Sequence, residues 1–193
     1  MAQRHEAPDS LDFFPTPPWA TRALCEWVGV GSGNRRVVWE PACGQGHMAR
    51  PLGEYFNDVF ASDIHDYGFG SVKDFFLTDN VKADCIITNP PFNLAEHFAL
   101  WALETARDGV ALLVRTSFLE SVGRYERLFM TAPPTDILQF VERVPMHKGR
   151  LDPKGSTATA YCWLVWRKGA CGTKFHWLAP CRKRLEKASD YVL

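Results

Sequence analysis

The chain has 193 residues, 46% of them hydrophobic and 23% charged, which supports one domain with a full hydrophobic core. Its 22 basic and 22 acidic side chains exclude a protein held to nucleic acid mainly by bulk charge, while leaving room for a local basic patch. Six cysteines without a CxxC pair, no signal-peptide core and no apolar run near the ~18 residues of a spanning helix predict a cytoplasmic protein that neither uses disulfides nor enters a membrane.

Residues 1–11 are polar and predicted to be flexible. Asp12-Phe13-Phe14-Pro15-Thr16-Pro17-Pro18 is predicted as a stiff extended segment, because each proline fixes its own φ and pushes its predecessor out of helix. Trp19, Ala23, Leu24 and Trp27 fall at helical spacing over 19–29, with Gly29 and Gly31 as stops. Strands and helices then alternate. Strands are predicted at 36–40, 59–63, 72–74, 84–88 and 110–114, with helices at 47–56, 94–107 and 121–131. The fifth strand, Val110-Ala111-Leu112-Leu113-Val114, has no polar alternation, as expected when both faces are covered. Strands at 137–144 and 161–166 lack a helix between them, which predicts an antiparallel hairpin at one edge. The alternation implies an α/β fold with a mostly parallel sheet. Such sheets bind ligands at the carboxyl ends of their strands.

The polar motifs fall at those ends. Glu40-Pro41-Ala42-Cys43-Gly44-Gln45-Gly46 follows the first strand, and its glycines let backbone lie against a ligand or simply make a turn. It lacks the third glycine of a dinucleotide fingerprint and the lysine of a phosphate loop. Asp63 closes the second strand about 20 residues on, where a carboxylate either accepts from ribose hydroxyls or closes a turn. Asp74-Phe75-Phe76 offers an acceptor for an adenine amino group beside an aromatic; the alternative is that the phenylalanines are core. Thr16, held between prolines, either faces the amino-acid end of a ligand or belongs to a structural arm. Asn89-Pro90-Pro91-Phe92 follows the fourth strand and places an amide, a stiff backbone and an aromatic ring together.

In this order the motifs resemble those of the S-adenosylmethionine-dependent amino-methyltransferases, most closely the small phage-type DNA adenine methyltransferases, over residues 12–168. The resemblance implies a Rossmann-like seven-stranded sheet, mostly parallel with an antiparallel last strand. It implies S-adenosylmethionine as cofactor, with Thr16 and Pro17 near its carboxylate and Glu40, Ala42 and Gly44 along its methionine half. Asp63 would take the ribose, Asp74 and Phe75 the adenine. Asn89, Pro90, Pro91 and Phe92 would hold the target base, and DNA would be the partner.

The chemistry fits the tetrapeptide. An aromatic amino group is a poor nucleophile because its lone pair is delocalised. The Asn89 side-chain oxygen and the Pro90 carbonyl can each accept one N–H, which favours a pyramidal nitrogen without prior deprotonation. Phe92 can stack on an extruded base for ~1–3 kcal/mol, and a paired base must leave the duplex to reach such a site. The same acceptor pair suits an RNA base or a protein glutamine amide, and a non-catalytic nucleic-acid-binding protein with this fold is a third reading. Arg143, Lys148, Arg150 and Lys154 lie in the loop before the last strand, as phosphate contacts or as a solvated hairpin. Residues 169–193 are expected to form a tail packed on or extending from the same domain. Cys171, His176 and Cys181 match no zinc spacing, so no metal is expected.

Overall fold

Eight strands form one sheet in a computed structural model that describes residues 12–30, 34–78 and 81–192. The expectations for residues 1–11 and for Gly31 lie outside those residues. The strands are β1 (Asn34–Glu40), β2 (Phe56–Asp63), β3 (Ser71–Val72), β4 (Cys85–Thr88), β5 (Gly109–Arg115), β6 (Asp136–Phe140), β7 (Tyr161–Arg167) and β8 (Lys174–Leu178), in the order β3-β2-β1-β4-β5-β7-β6-β8. β7 runs antiparallel to both β5 and β6; the other neighbouring pairs are parallel. The sheet is thus α/β and mostly parallel, but has eight strands where seven were expected. The antiparallel strand lies inside the sheet, and β8, from the expected tail, forms the edge beside β6.

Helices cover both faces. On one face α1 (Pro18–Val28) buries Trp19 and Leu24 against Ala111 and Leu113 of β5 and Trp163 and Val165 of β7. The Trp163 indole also donates to the Ala20 carbonyl at 3.1 Å. On the other, α3 (Ala95–Thr105) packs Phe98, Ala99 and Ala102 on Val110, Leu112, Leu164 and Trp166. Successive residues of β5 therefore enter opposite cores. Each large side chain so buried contributes roughly 1.5–3 kcal/mol, and that double burial explains the unbroken apolar run. Gly29, at φ 73°, ends α1 by returning its N–H to the Glu26 carbonyl.

Two predicted helices are shorter than expected. The 47–56 helix is a single turn, α2 (Ala49–Leu52). Pro51 donates no N–H there, and the chain turns at Gly53 to enter β2 by Phe56. The 121–131 helix is one α turn, α4 (Val122–Arg124), followed by a π-helical turn at Tyr125–Phe129. β6 stops at Phe140 rather than Val144. Beyond it, the Glu142 carboxylate accepts the N–H groups of Cys181 and Arg182 at the start of α5 (Arg182–Leu185). The terminus is anchored by Arg22, whose buried guanidinium meets Glu54, Asp190 and the Leu185 carbonyl at 2.7–2.8 Å. Among the described residues, no helix is long and apolar enough to cross a membrane, and the six cysteines are unpaired.

Candidate active site

Parallel pairing brings the carboxyl ends of β1, β2 and β4 to one edge of the sheet. A cavity of about 560 Å³ opens there. Its floor is made by Glu40, Pro41, Ala42 and Cys43, and the glycine turn that follows supports it from behind. Gly44 and Gly46 have φ of 49° and 84°, a region that strains other residues. A Cβ on Gly44 would stand 2.3 Å from the Phe13 ring, and one on Gly46 2.6 Å from Phe69. The turn is tied to the end of β2. The Gly44 N–H donates to Asp63 Oδ2 at 2.9 Å, the His65 N–H donates to Asp63 Oδ1 at 3.0 Å, and the Cys43 N–H donates to the Ser62 carbonyl. Asp63 is therefore held in a fixed pose on the cavity wall by backbone donors.

Glu40, the last residue of β1, is buried at the base of the cavity, and its Oε2 has no hydrogen-bond partner. Burial, and next the negative charge of Asp63, raise its pKa well above the ordinary glutamate value. His47 follows the turn. Burial, with Arg50 assisting, lowers its pKa to about 4, so the imidazole is neutral at physiological pH, and its Nδ1 has no partner. Asp74 caps the short 3-10 turn Phe75–Leu77 by accepting the Phe76 N–H at 2.9 Å. Phe75 packs on Trp39 and Phe98 in the core and also presents to the cavity.

The roof is the extended segment 12–16. Phe13 stacks on Tyr67 with ring centroids 4.7 Å apart, and its carbonyl accepts the Gly149 N–H at 2.9 Å. Asp12 accepts the Phe92 N–H at 2.6 Å, and the Phe14 ring lies 5.0 Å from the Phe92 ring. Asn89 fastens this strap. Its Nδ2 donates to the Phe14 carbonyl at 2.9 Å and to Thr16 Oγ1 at 3.0 Å, with Met146 Sδ 3.6 Å away. The amide orientation follows from those acceptors, and it leaves Oδ1 buried with no donor.

Thr16, Glu40, Ala42, Asp63, Asp74, Phe75, Asn89, Pro90, Pro91 and Phe92 thus share one cavity. Pro17 and Gly44 do not form its wall: Pro17 precedes the first turn of α1, and Gly44 supports Phe13 and Asp63 from behind. Arg143, Lys148, Arg150 and Lys154 are exposed and outside the cavity. Arg143 donates to the Ala158 carbonyl, and Arg150 lies 3.9 Å from Asp152. Their loop still reaches the site through Gly149 and Met146. His176 is bonded to Asp136 at 2.9 Å. Sequence reasoning missed His47 and Tyr67 as wall residues. Their signal was position, since each lies within four residues of a motif at a strand end.

The sequence matches no protein-family model and no curated protein. The fold does match solved structures. A protein from Vibrio vulnificus described as a modification subunit of a type I restriction enzyme superimposes with a TM-score of 0.63 at 16% identity, over 93% of this chain and 50% of that one. This chain therefore spans half the length of that protein. A Pyrococcus horikoshii protein described as an RNA methyltransferase gives 0.62 at 18% identity, over 84% of this chain and 91% of that one. A dimethyladenosine transferase from Plasmodium falciparum gives 0.54 at 16% identity, over 80% and 62%. The chain thus has the α/β fold found in these methyltransferases.

Proposed function

We propose that the protein transfers a methyl group from S-adenosylmethionine to the exocyclic amino group of adenine in DNA, with the base single-stranded or flipped. The observation that carries this reading is the Asn89 amide. Its two N–H groups face protein acceptors, so its unpartnered oxygen is a fixed acceptor beside the cavity. An amino group donating to that oxygen and to the Pro90 carbonyl is held as a pyramidal nitrogen. The orientation needs little rearrangement, because Pro90, Pro91 and the strap already fix the acceptors. Phe92 offers the adjacent ring for stacking.

The residues present suit the donor. When bound, S-adenosylmethionine supplies an electrophilic sulfonium methyl. Asp63 offers carboxylate oxygens to a ribose, and Phe75 and Asp74 offer a ring face and an acceptor to an adenine. Glu40 has a buried oxygen without a partner, which suits the cationic methionine end. Because burial favours its neutral form in the free protein, a nearby cation draws it towards ionisation. The likeness to proteins described as a restriction-enzyme modification subunit and an RNA methyltransferase supports nucleic acid as substrate.

Nucleoside mass spectrometry on DNA and RNA from cells expressing the protein tests the reading. N6-methyladenine in DNA is the expected product. A modified base only in RNA moves the substrate while keeping the amino-group chemistry. Label from the donor found only on protein glutamine, or nowhere, overturns the nucleic-acid assignment.

A further inference from the structure

Four carboxylates, Asp12, Glu40, Asp63 and Asp74, line the cavity. Even with Glu40 held neutral by burial, a nucleic-acid strand entering the cavity carries its phosphates towards the carboxylates of the other three. A cation placed on the target-base side to offset this is Arg115, the last residue of β5. The β4–β5 register, Thr88 beside Leu112, sets the end of β5 next to the Asn89–Phe92 turn. The Arg115 guanidinium lies over the Phe92 ring, 3.8 Å from its centroid. Its charge and a side-chain hydrogen bond to Tyr161 also oppose the rise that burial imposes on that phenol's pKa, so one part of its donor fork is engaged there.

Arg115 differs from its neighbours in what it faces. Arg107, Arg124, Arg127, Arg167 and Arg182 each lie within 4 Å of a carboxylate. Arg115 is exposed and makes no ion pair among the described residues. A guanidinium on an aromatic face uses its π surface and keeps its in-plane N–H donors at the edge, and of the five only those turned to Tyr161 are engaged. The others match a phosphate in geometry and charge. We infer that Arg115 binds a backbone phosphate next to the target nucleotide, with its face on Phe92 and its edge towards the strand. This makes it a substrate-binding residue that couples the strand to the ring against which the base stacks. The inference rests on the methyl-transfer reading above.

The test uses the 193-residue chain, labelled S-adenosylmethionine and an adenine-containing single-stranded DNA oligonucleotide over a range of salt concentrations. R115M keeps an apolar stem on Phe92 and removes the charge; R115K keeps the charge and removes the planar fork. For R115M we expect the KM for DNA to rise about tenfold or more, and the slope of log affinity against log salt to become shallower by about 0.7, one phosphate contact on a single strand. Donor affinity, read by calorimetry, should stay within about twofold. R115K should retain the salt slope with an intermediate KM. An unchanged slope and KM in R115M overturns the role of Arg115 and leaves the methyl-transfer reading standing. No methyl transfer to any nucleic acid by the wild-type chain overturns that reading, and the Arg115 inference with it.

Discussion

Asn89→Ala removes two separable functions from one side chain. On the proposed reading, loss of Oδ1 removes a preorganised acceptor for the target amino group. Removing one such preorganised group typically lowers kcat by about 10²–10³, roughly 2.7–4 kcal/mol. Loss of Nδ2 removes the hydrogen bonds to Phe14 and Thr16. At ~0.5–1.5 kcal/mol each, the pair contributes about 1–3 kcal/mol to holding the strap. The strap keeps four other attachments: the Asp12 bond to the Phe92 N–H, the Gly149 bond to Phe13, and the packing of Phe13 on Tyr67 and of Phe14 on Phe92. Donor affinity should therefore fall by no more than about tenfold, the equivalent of ~1.4 kcal/mol. Single-turnover transfer to an oligonucleotide measures the first effect and calorimetry with S-adenosylmethionine the second, with thermal unfolding confirming a folded chain. A folded variant whose turnover falls by less than about threefold would refute the acceptor role of Oδ1.

Three further outcomes follow from the same geometry. Glu40 has a raised folded-state pKa, so as pH climbs above the ordinary glutamate range the unfolded chain ionises first and this residue's contribution to stability declines. Glu40→Gln should therefore be favoured over wild type increasingly from acid to neutral pH in urea titrations, while binding S-adenosylmethionine more weakly. It should also abolish a proton release on donor binding, detected by calorimetry in buffers of different ionisation enthalpy; equal proton release in both proteins would exclude Glu40 as its source. Gly44→Ala forces a Cβ into the Phe13 ring at a positive φ, and should destabilise by ~1–3 kcal/mol from backbone strain alone; adding Phe13→Ala should relieve only the steric part, as read by a double-mutant cycle in urea. Arg22→Ala leaves the buried Asp190 carboxylate without its cationic partner and with only the Lys187 N–H to accept from, and should cost about 3–5 kcal/mol of stability, seen as a lower midpoint in thermal unfolding.

How much of this was legible in the sequence depended on distance along the chain. β5 was readable because both its faces are buried, and β1 and β4 because turn motifs follow them directly. β8 was not readable. Lys174, Phe175 and Trp177 are exposed on that edge strand, and the strand exists through pairing with β6, a partner that local patterning does not reveal. The helices at 47–56 and 121–131 were overread for the opposite reason, since an apolar spacing that suits a helix is also produced by single turns packed on a sheet. The floor of the site was legible, because Glu40, Asp63, Asp74 and Asn89 each sit at a strand end and parallel strands place those ends together. The roof was not. Asn89 meets the Phe14 carbonyl across 75 residues of sequence, and the basic loop reaches the strap only through the backbone N–H of Gly149. Backbone donors carry no side-chain signature.

The closed roof sharpens why an amide stands at position 89. The strap offers Asn89 two acceptors, a carbonyl and a hydroxyl oxygen, so the side chain there must donate. The proposed transfer requires the same side chain to accept. An aspartate meets the second demand but sets a carboxylate against the Phe14 carbonyl; a serine has one proton and cannot donate to both acceptors. Asparagine has two donors and an acceptor in one rigid plane, and satisfying the donors fixes the direction of the oxygen. Fastening Thr16 to Asn89 and aiming Oδ1 at the cavity are therefore one conformational choice. The strap, rather than the tetrapeptide alone, determines the orientation of the group proposed to hold the amine.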